Sequence, residues 1–188
     1  MKYTKLLLVL SVLLFFYACK KDEIDDPTKE QQEETFENSV TPEDEENEEN
    51  GNQQQPILTM EEKILEMVNS LRESGCNCGS TTYPPVPELS LNDNLIQAAK
   101  IHSDDMHDND FFSHQGSDGS SVGTRVQSAG YSWKSVGENI AFGQSTAQQV
   151  MNAWLNSAGH CANIMNASRD EMGIARKGNY WTQVFAKD

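Results

Sequence analysis

The chain has 188 residues, with 29 acidic and 14 basic side chains and a formal net charge of −15 at pH 7. No basic stripe runs through it, which argues against nucleic acid as a partner. The acidity is concentrated: residues 20–56 hold fourteen Asp or Glu against three Lys, whereas residues 57–188 hold 15 acidic and 9 basic side chains, a net of −6.

The N-terminal segment predicts export. Lys2 and Lys5 precede an apolar run of twelve residues, Leu6 to Tyr17, interrupted by one Ser. A bilayer core of ~30 Å needs about 20 apolar residues, so this run has the length of a signal-peptide core instead. The stretch Phe16-Tyr17-Ala18-Cys19 resembles the lipobox of bacterial lipoproteins, with Phe16 in place of the commoner Leu. That resemblance implies removal of residues 1–18 and lipidation of Cys19, with the membrane as a partner through a multi-chain anchor. Residues 19–56 then read as the lipidated Cys and an acidic tether, too polar to offset its own chain entropy and extended by self-repulsion. The run Lys20-Lys21-Asp22-Glu23 resembles the Lys-then-acidic signal that sends Bacteroidetes-type lipoproteins to the outer face of the outer membrane. An exported, outer-membrane-anchored protein is the expectation.

Residues 57–188 are one domain's worth of chain. Thr59 with Glu62 forms a capping box for a first helix to about Glu73, with Ile64, Leu65, Val68 and Leu71 at helical spacing. Ser74-Gly75 stops it, and residues 76–90 read as a loop with three prolines and two cysteines. A second helix begins near Asn92 or Asp93, with Leu95, Ala98, Ala99, His102 and Met106 on one face. Residues 108–123 read as a structured loop in which Phe111 and Phe112 are anchors, followed by a short helix over 122–129. A third helix is expected from Ser145 to Ser157, boxed by Ser145 and Gln148, interrupted at Gly159 and followed by a turn over 161–165. Met172 to Arg176 and Tyr180 to Phe185 alternate like strands around Gly178-Asn179, a tight hairpin turn. Helices followed by a terminal hairpin suggest a sheet packed between helices.

The chemistry rests on histidines, one acid and the cysteines. His102, on an apolar helix face, reads as a hydrogen-bonded core residue, and His107 as part of a solvated charged helix end. His114 follows the aromatic pair in a loop. Glu138 lies in Gly137-Glu138-Asn139-Ile140-Ala141 at the edge of a strand-like run, where a carboxylate needs a partner. His160 follows Gly159. With Cys19 lipidated, Cys76, Cys78 and Cys161 remain in disulfide-permissive surroundings. Cys161 is expected to bridge to Cys76 or to Cys78, with the choice open. A metal site of the three thiolates, joined by His160, is the alternative, although C-x-C spacing is less typical of zinc than C-x2-C.

The ordered series of residues 111–121, Arg125, Gly130-Tyr131, residues 137–141, Trp154, Ser157, Gly159-His160, residues 163–165, residues 171–175 and residues 180–185 resembles the bacterial branch of the CAP family. These are the cysteine-rich secretory, antigen 5 and pathogenesis-related proteins, also called SCP-like extracellular domains. The resemblance covers essentially all of 60–188. It implies an α+β fold, a three-layer α-β-α sandwich with a central, mainly antiparallel sheet, and a cleft lined by His114 and Glu138. Where animal and plant members carry a second Glu, this chain has Ser157; where they carry a second His, it has Tyr180. His160 is the substitute imidazole. His114, Glu138 and His160 thus form a candidate site for a divalent metal such as Zn²⁺, with Ser157 and Tyr180 as further cleft residues. Neither Ser113 nor Ser157 carries a local signature of an activated nucleophile. Two functions follow: a non-enzymatic module binding an extracellular ligand or protein, and, as the alternative, a metal-dependent, peptidase-like hydrolase.

Overall fold

The computed structural model describes residues 58–188, so Cys19 and the signal-peptide and tether readings lie outside the described residues. Helix α1 (Met60–Ser74) opens on the expected capping box. Thr59 Oγ1 accepts from the Glu62 N–H at 3.2 Å, and the Glu62 carboxylate accepts from the Thr59 N–H at 2.8 Å. Ile64, Val68 and Arg72 form its buried stripe at four-residue spacing. The Arg72 guanidinium donates to the carbonyls of Pro87, Ile164, Asn166 and Arg169 at 2.6–3.1 Å, tying α1 to a segment more than ninety residues away. Gly75 ends the helix at φ +71, where a Cβ would come within 2.7 Å of the Tyr83 carbonyl oxygen.

Residues 76–90 are more ordered than a loop. Strand β1 (Cys76–Cys78) pairs antiparallel with β2 (Thr81–Tyr83), and β3 (Ser90–Leu91) joins the main sheet. Strands of two or three residues are too short for an alternation to be read in sequence. Helix α2 (Asp93–Asp108) is capped by the Asn92 side chain and buries Leu95, Ala98, Ala99, His102 and Met106. Helix α3 (Val122–Ser128) starts at Ser121, and β4 (Ser135–Phe142) contains the Gly-Glu-Asn stretch.

Helix α4 (Ala147–Leu155) corrects the expected cap by one residue. Thr146 Oγ1, not Ser145, accepts from the Gln149 N–H at 3.2 Å, while the Ser145 N–H donates to the Gln149 side chain at 2.8 Å. Two adjacent hydroxyls before two adjacent glutamines leave that register ambiguous in sequence. Gly159 does not break the chain into a turn. The break falls at Asn156-Ser157, and α5 (Ala158–Ile164) runs through Gly159, at a position where a Cβ would meet nothing within 4 Å. Strands β5 (Glu171–Lys177) and β6 (Tyr180–Lys187) form the terminal hairpin, with Gly178 at φ +55.

The main sheet has the order β3-β5-β6-β4, antiparallel except for the short β3–β5 pair. One face carries Ala175, Val184 and Ala186 and packs on Leu95, Ala98 and Ala99 of α2 and Val126 of α3. The other carries Met172, Ile174, Trp181, Phe185 and Ala141 and packs on Ile64, Val68, Val150, Met151, Trp154, Cys161 and Ile164 of α1, α4 and α5. This is the expected α-β-α sandwich with a mainly antiparallel sheet. The disulfide joins Cys78 to Cys161, linking β1 to α5. Among the described residues no helix is long and apolar enough to cross a membrane.

The layers meet most closely at Gly173. A Cβ there would lie 2.1 Å from the Leu95 carbonyl carbon and 2.2 Å from the Ile96 nitrogen, so α2 rests backbone on backbone against β5. Gly173→Ala should therefore force α2 away from the sheet and cost about 3 kcal/mol, the upper end of overpacking penalties. Urea denaturation of the two proteins measures it, and an unchanged midpoint would contradict the close approach.

Candidate functional site

Strand β4 sets the site because successive side chains leave it on opposite faces. Glu138 points to the α2–α3 side, with only 2 % of its side chain exposed. Its neighbour Asn139 points the other way and donates to the His160 carbonyl and to Gln183 Oε1, both at 3.2 Å. Asn163 of α5 returns the contact, donating to the Glu138 carbonyl at 3.1 Å and to Asn139 Oδ1 at 2.9 Å.

The Glu138 carboxylate has two partners. Arg125 Nη2 donates to Oε2 at 2.7 Å, and His114 Nδ1 lies 2.8 Å from Oε1. A carboxylate accepts, so the histidine proton sits on Nδ1 and Nε2 is the nitrogen presented outward. The His114 side chain is 58 % exposed, whereas that of Arg125 is 4 % exposed. Arg125 also fixes the loop that carries His114, donating to the His114 carbonyl at 3.0 Å and the Ser120 carbonyl at 2.9 Å. Asp105 holds the same loop from α2 by accepting from the Ser117 N–H and hydroxyl. Burial raises the Asp105 pKa, but the bonds from Ser117 and Asn109 outweigh it and hold the carboxyl below its ordinary value.

His102 lies against this cluster from the helix side. It is fully buried, its Nε2 donates to the Ser113 carbonyl at 2.8 Å, and that nitrogen is 3.9 Å from Glu138 Oε1. Burial pushes its pKa down; the Glu138 charge opposes this and the Arg125 charge adds to it. The surface above is an open depression of about 350 Å³ lined by His114, Gln115, Gly119, Ser121, Val122 and Glu138.

The structure brings His114 and Glu138 together and places the other sequence candidates differently. His160 is half-buried on α5, its pKa lowered by burial and then by the charge of His114. Yet the ligand atoms of His114, Glu138 and His160 do not all fall within 4.8 Å of one another, whereas those of Cys76, Cys78 and Cys161 do. Glu138 is turned into the Arg125 guanidinium, which occupies one oxygen with a fixed positive charge; as arranged, this donor set does not fit a resident Zn²⁺. Tyr180 pairs with Phe142, four residues along β4 from Glu138, and its hydroxyl donates to Asp110 at 3.3 Å. Ser157 is the N-cap of α5 and makes no side-chain capping bond. Phe111 is half-buried with its ring 6.4 Å from that of His102, and Phe112, although 52 % exposed, has its ring 6.3 Å from that of Phe142, so the two aromatics meet different elements. Arg125 and the proximity of His102 to Glu138 were missed. The available signal was the buried acid itself, which demands a cation.

A three-layer sandwich with a histidine–glutamate pair beside its edge strand defines a class, the SCP-like domains that the sequence resembles. The model of the CAP cysteine-rich secretory protein family matches residues 65–185, and the chain belongs to that family. It is 35% identical over 127 residues to the YkwD protein of Bacillus subtilis, covering 66% of this chain and 46% of that protein. It is 28% identical over 129 residues to the membrane protein YlbC of the same bacterium, covering 69% and 35% respectively. The chain therefore spans less than half the length of these two relatives. Among solved structures, an extracellular SCP-domain protein of Bacillus anthracis superposes with a TM-score of 0.61 at 28% identity, over 68% of this chain and 40% of that one. An outer surface protein of Borrelia burgdorferi gives a TM-score of 0.54 at 23% identity, over 66% and 86%, a likeness of fold alone.

The depressed pKa of His102 makes stability depend on pH. In the unfolded chain the imidazole takes a proton below about pH 6.5, whereas in the folded chain it stays neutral to lower pH. The unfolded state then binds more protons, so stability present above about pH 6.5 is lost as pH falls toward the folded value. His102→Gln keeps a donor for the Ser113 carbonyl and removes the titration. Its unfolding free energy should fall less between about pH 7.5 and about pH 5.5 than that of the wild type. Equal losses in denaturant titrations would show that His102 is not held neutral.

Proposed function

We propose that this chain is an envelope-anchored extracellular binding module that takes a small polar ligand in the depression beside His114. The carrying observation is the fixed presentation of the imidazole. Glu138 holds Nδ1 of a ring that lines the depression, which leaves Nε2 for a ligand, as an acceptor when the ring is neutral and as a donor when it is protonated. Nearby hydroxyls are committed to local structure. Ser121 Oγ accepts from the Thr124 N–H at 3.2 Å to cap α3, and Ser113 Oγ accepts from the Gln115 N–H at 3.0 Å. Neither is bonded to a base, which favours recognition over nucleophilic catalysis. The reading of a metal-dependent hydrolase loses support from the Arg125 charge on Glu138.

Nuclear magnetic resonance titration with soluble peptidoglycan fragments and a mixed peptide panel tests the site. One of these probes should shift Gly119, Ser121 and Val122 without being cleaved, and His114→Ala should abolish the shifts. Turnover of a probe that depends on added metal would instead favour the hydrolase reading.

The anchor is the second half of the proposal. It rests on Cys19 at the lipobox-like junction, and the extracellular SCP-domain protein of Bacillus anthracis among the structural relatives agrees with export. Mass spectrometry of the mature protein should find an acylated N-terminal Cys19, and Cys19→Ala should release or misprocess the chain. An unmodified terminus would refute the lipoprotein assignment.

A further inference from the structure

The three remaining cysteines converge in one place that the cleft does not use. Strand β1 puts Cys76 and Cys78 on the same buried side, with Asn77 between them exposed, and α5 brings Cys161 across to meet both. Cys78 and Cys161 are disulfide-bonded. Cys76 Sγ lies 3.6 Å from Cys161 Sγ and 3.9 Å from Cys78 Sγ. All three are at least 97 % buried, and they belong to the larger hydrophobic cluster.

Those separations have a chemical meaning. A metal bound by thiolates at about 2.3 Å sets sulfur–sulfur edges of about 3.8 Å in a tetrahedral site and about 4.0 Å in a trigonal one. Two of the three edges are thus already close to coordinating length, and only the Cys78–Cys161 edge has to open. Among the described residues the group contains three sulfurs and no fourth ligand. Soft thiolates suit both zinc and Cu(I), but a structural zinc site takes four protein ligands, so three buried sulfurs with no fourth fit Cu(I) better. We propose that reduction of the Cys78–Cys161 bond converts this cluster into a three-thiolate site for Cu(I).

The reaction balances without any group from the cleft. An external dithiol gives two electrons and two protons, becomes a disulfide, and leaves Cys78 and Cys161 as thiols. Cu(I) then binds the three sulfurs without changing oxidation state and displaces up to three protons to solvent. The oxidised chain is closed to the metal because two of its ligands are bonded to each other. The hairpin of β1 and β2, which carries Cys76 and Cys78, lies outside the main sheet, whereas Cys161 sits on α5, which is bonded to β4 through Asn139 and Asn163.

The test uses the full chain carrying Cys19→Ser, reduced with a phosphine under argon, freed of reductant and titrated with Cu(I) against a chromogenic Cu(I) chelator. The reduced chain should withhold one Cu(I) per molecule, with a sulfur-to-copper charge-transfer band and a three-sulfur shell in X-ray absorption. The oxidised chain should withhold none. Cys76→Ser preserves the disulfide and hence the oxidised fold. After reduction it should bind Cu(I) at least roughly 100-fold more weakly, since losing even an outer partner of a ligand costs about 10–100-fold. Near-ultraviolet circular dichroism follows the fold throughout. The proposal is overturned by any of four results: no copper withheld by the reduced chain, equal retention by Cys76→Ser, displacement of Cu(I) by equimolar Zn²⁺, or unfolding on reduction that Cu(I) does not reverse.

Discussion

A carboxylate inside a protein must be neutralised or it will not remain ionised there, and Glu138 meets that demand with Arg125. The pair is buried on both sides, at 2 % and 4 % side-chain exposure. Removing one partner of such a pair strands the other, which typically costs about 3–5 kcal/mol. The constraint reaches beyond the pair. Arg125 has donors left over, and they go to the carbonyls of His114 and Ser120. The same guanidinium that neutralises the acid therefore shapes the loop that presents His114. Strand β4, helix α3 and the 113–121 loop are assembled around one charge.

Helix α2 completes the arrangement from behind. Its distance from the sheet is set by the missing side chain at Gly173, where the helix backbone touches the strand. Ser103 uses the same closeness, donating to Thr182 Oγ1 at 2.9 Å, and His102 is thereby carried to 3.9 Å from Glu138. Burial keeps that imidazole inclined to neutrality, so the positive charge facing Glu138 from within is that of Arg125. A second guanidinium, that of Arg72, works without any carboxylate among its bonded partners. It accumulates carbonyl dipoles at the end of α5 and in the segment after it, which fixes the opposite layer.

The layers, the hairpin and the first two helices were legible because each depends on a local rule. Thr59 with Glu62, the face from Leu95 to Met106, and Gly178-Asn179 state their structures within a few residues. The pairing of His114 with Glu138 was legible through resemblance, since the two are 24 residues apart and nothing local joins them. Arg125 was hidden for the same reason: a lone arginine on a seven-residue helix looks like surface until the acid across from it is placed. The expectation that His160 completes a compact donor set followed from the resemblance, as a replacement for the second His, and from its chemistry. Its main chain, held by Asn139, is what ties it to β4. Between Cys76 and Cys78 no sequence rule decides, because both lie on the same side of β1 and both reach Cys161.

The Gly-Glu-Asn stretch gains its importance from the pleat of β4. One residue sends a carboxylate to the cleft, and the next sends an amide to α5 on the far face of the sheet. Helix α5 carries His160 and Cys161 in succession, so adjacent residues join it to the strand by a hydrogen bond and to β1 by a disulfide. A helix of seven residues has little stability of its own. It is held by Asn139 and Asn163 on one side, by Cys78 on another, and by Arg72 at its C-terminal end. The edge strand of the cleft and the sulfur cluster therefore share one small rigid support. A change at the sulfurs would have to move α5 to be felt at Glu138, and it would do so through Asn163, which bonds the Glu138 carbonyl directly.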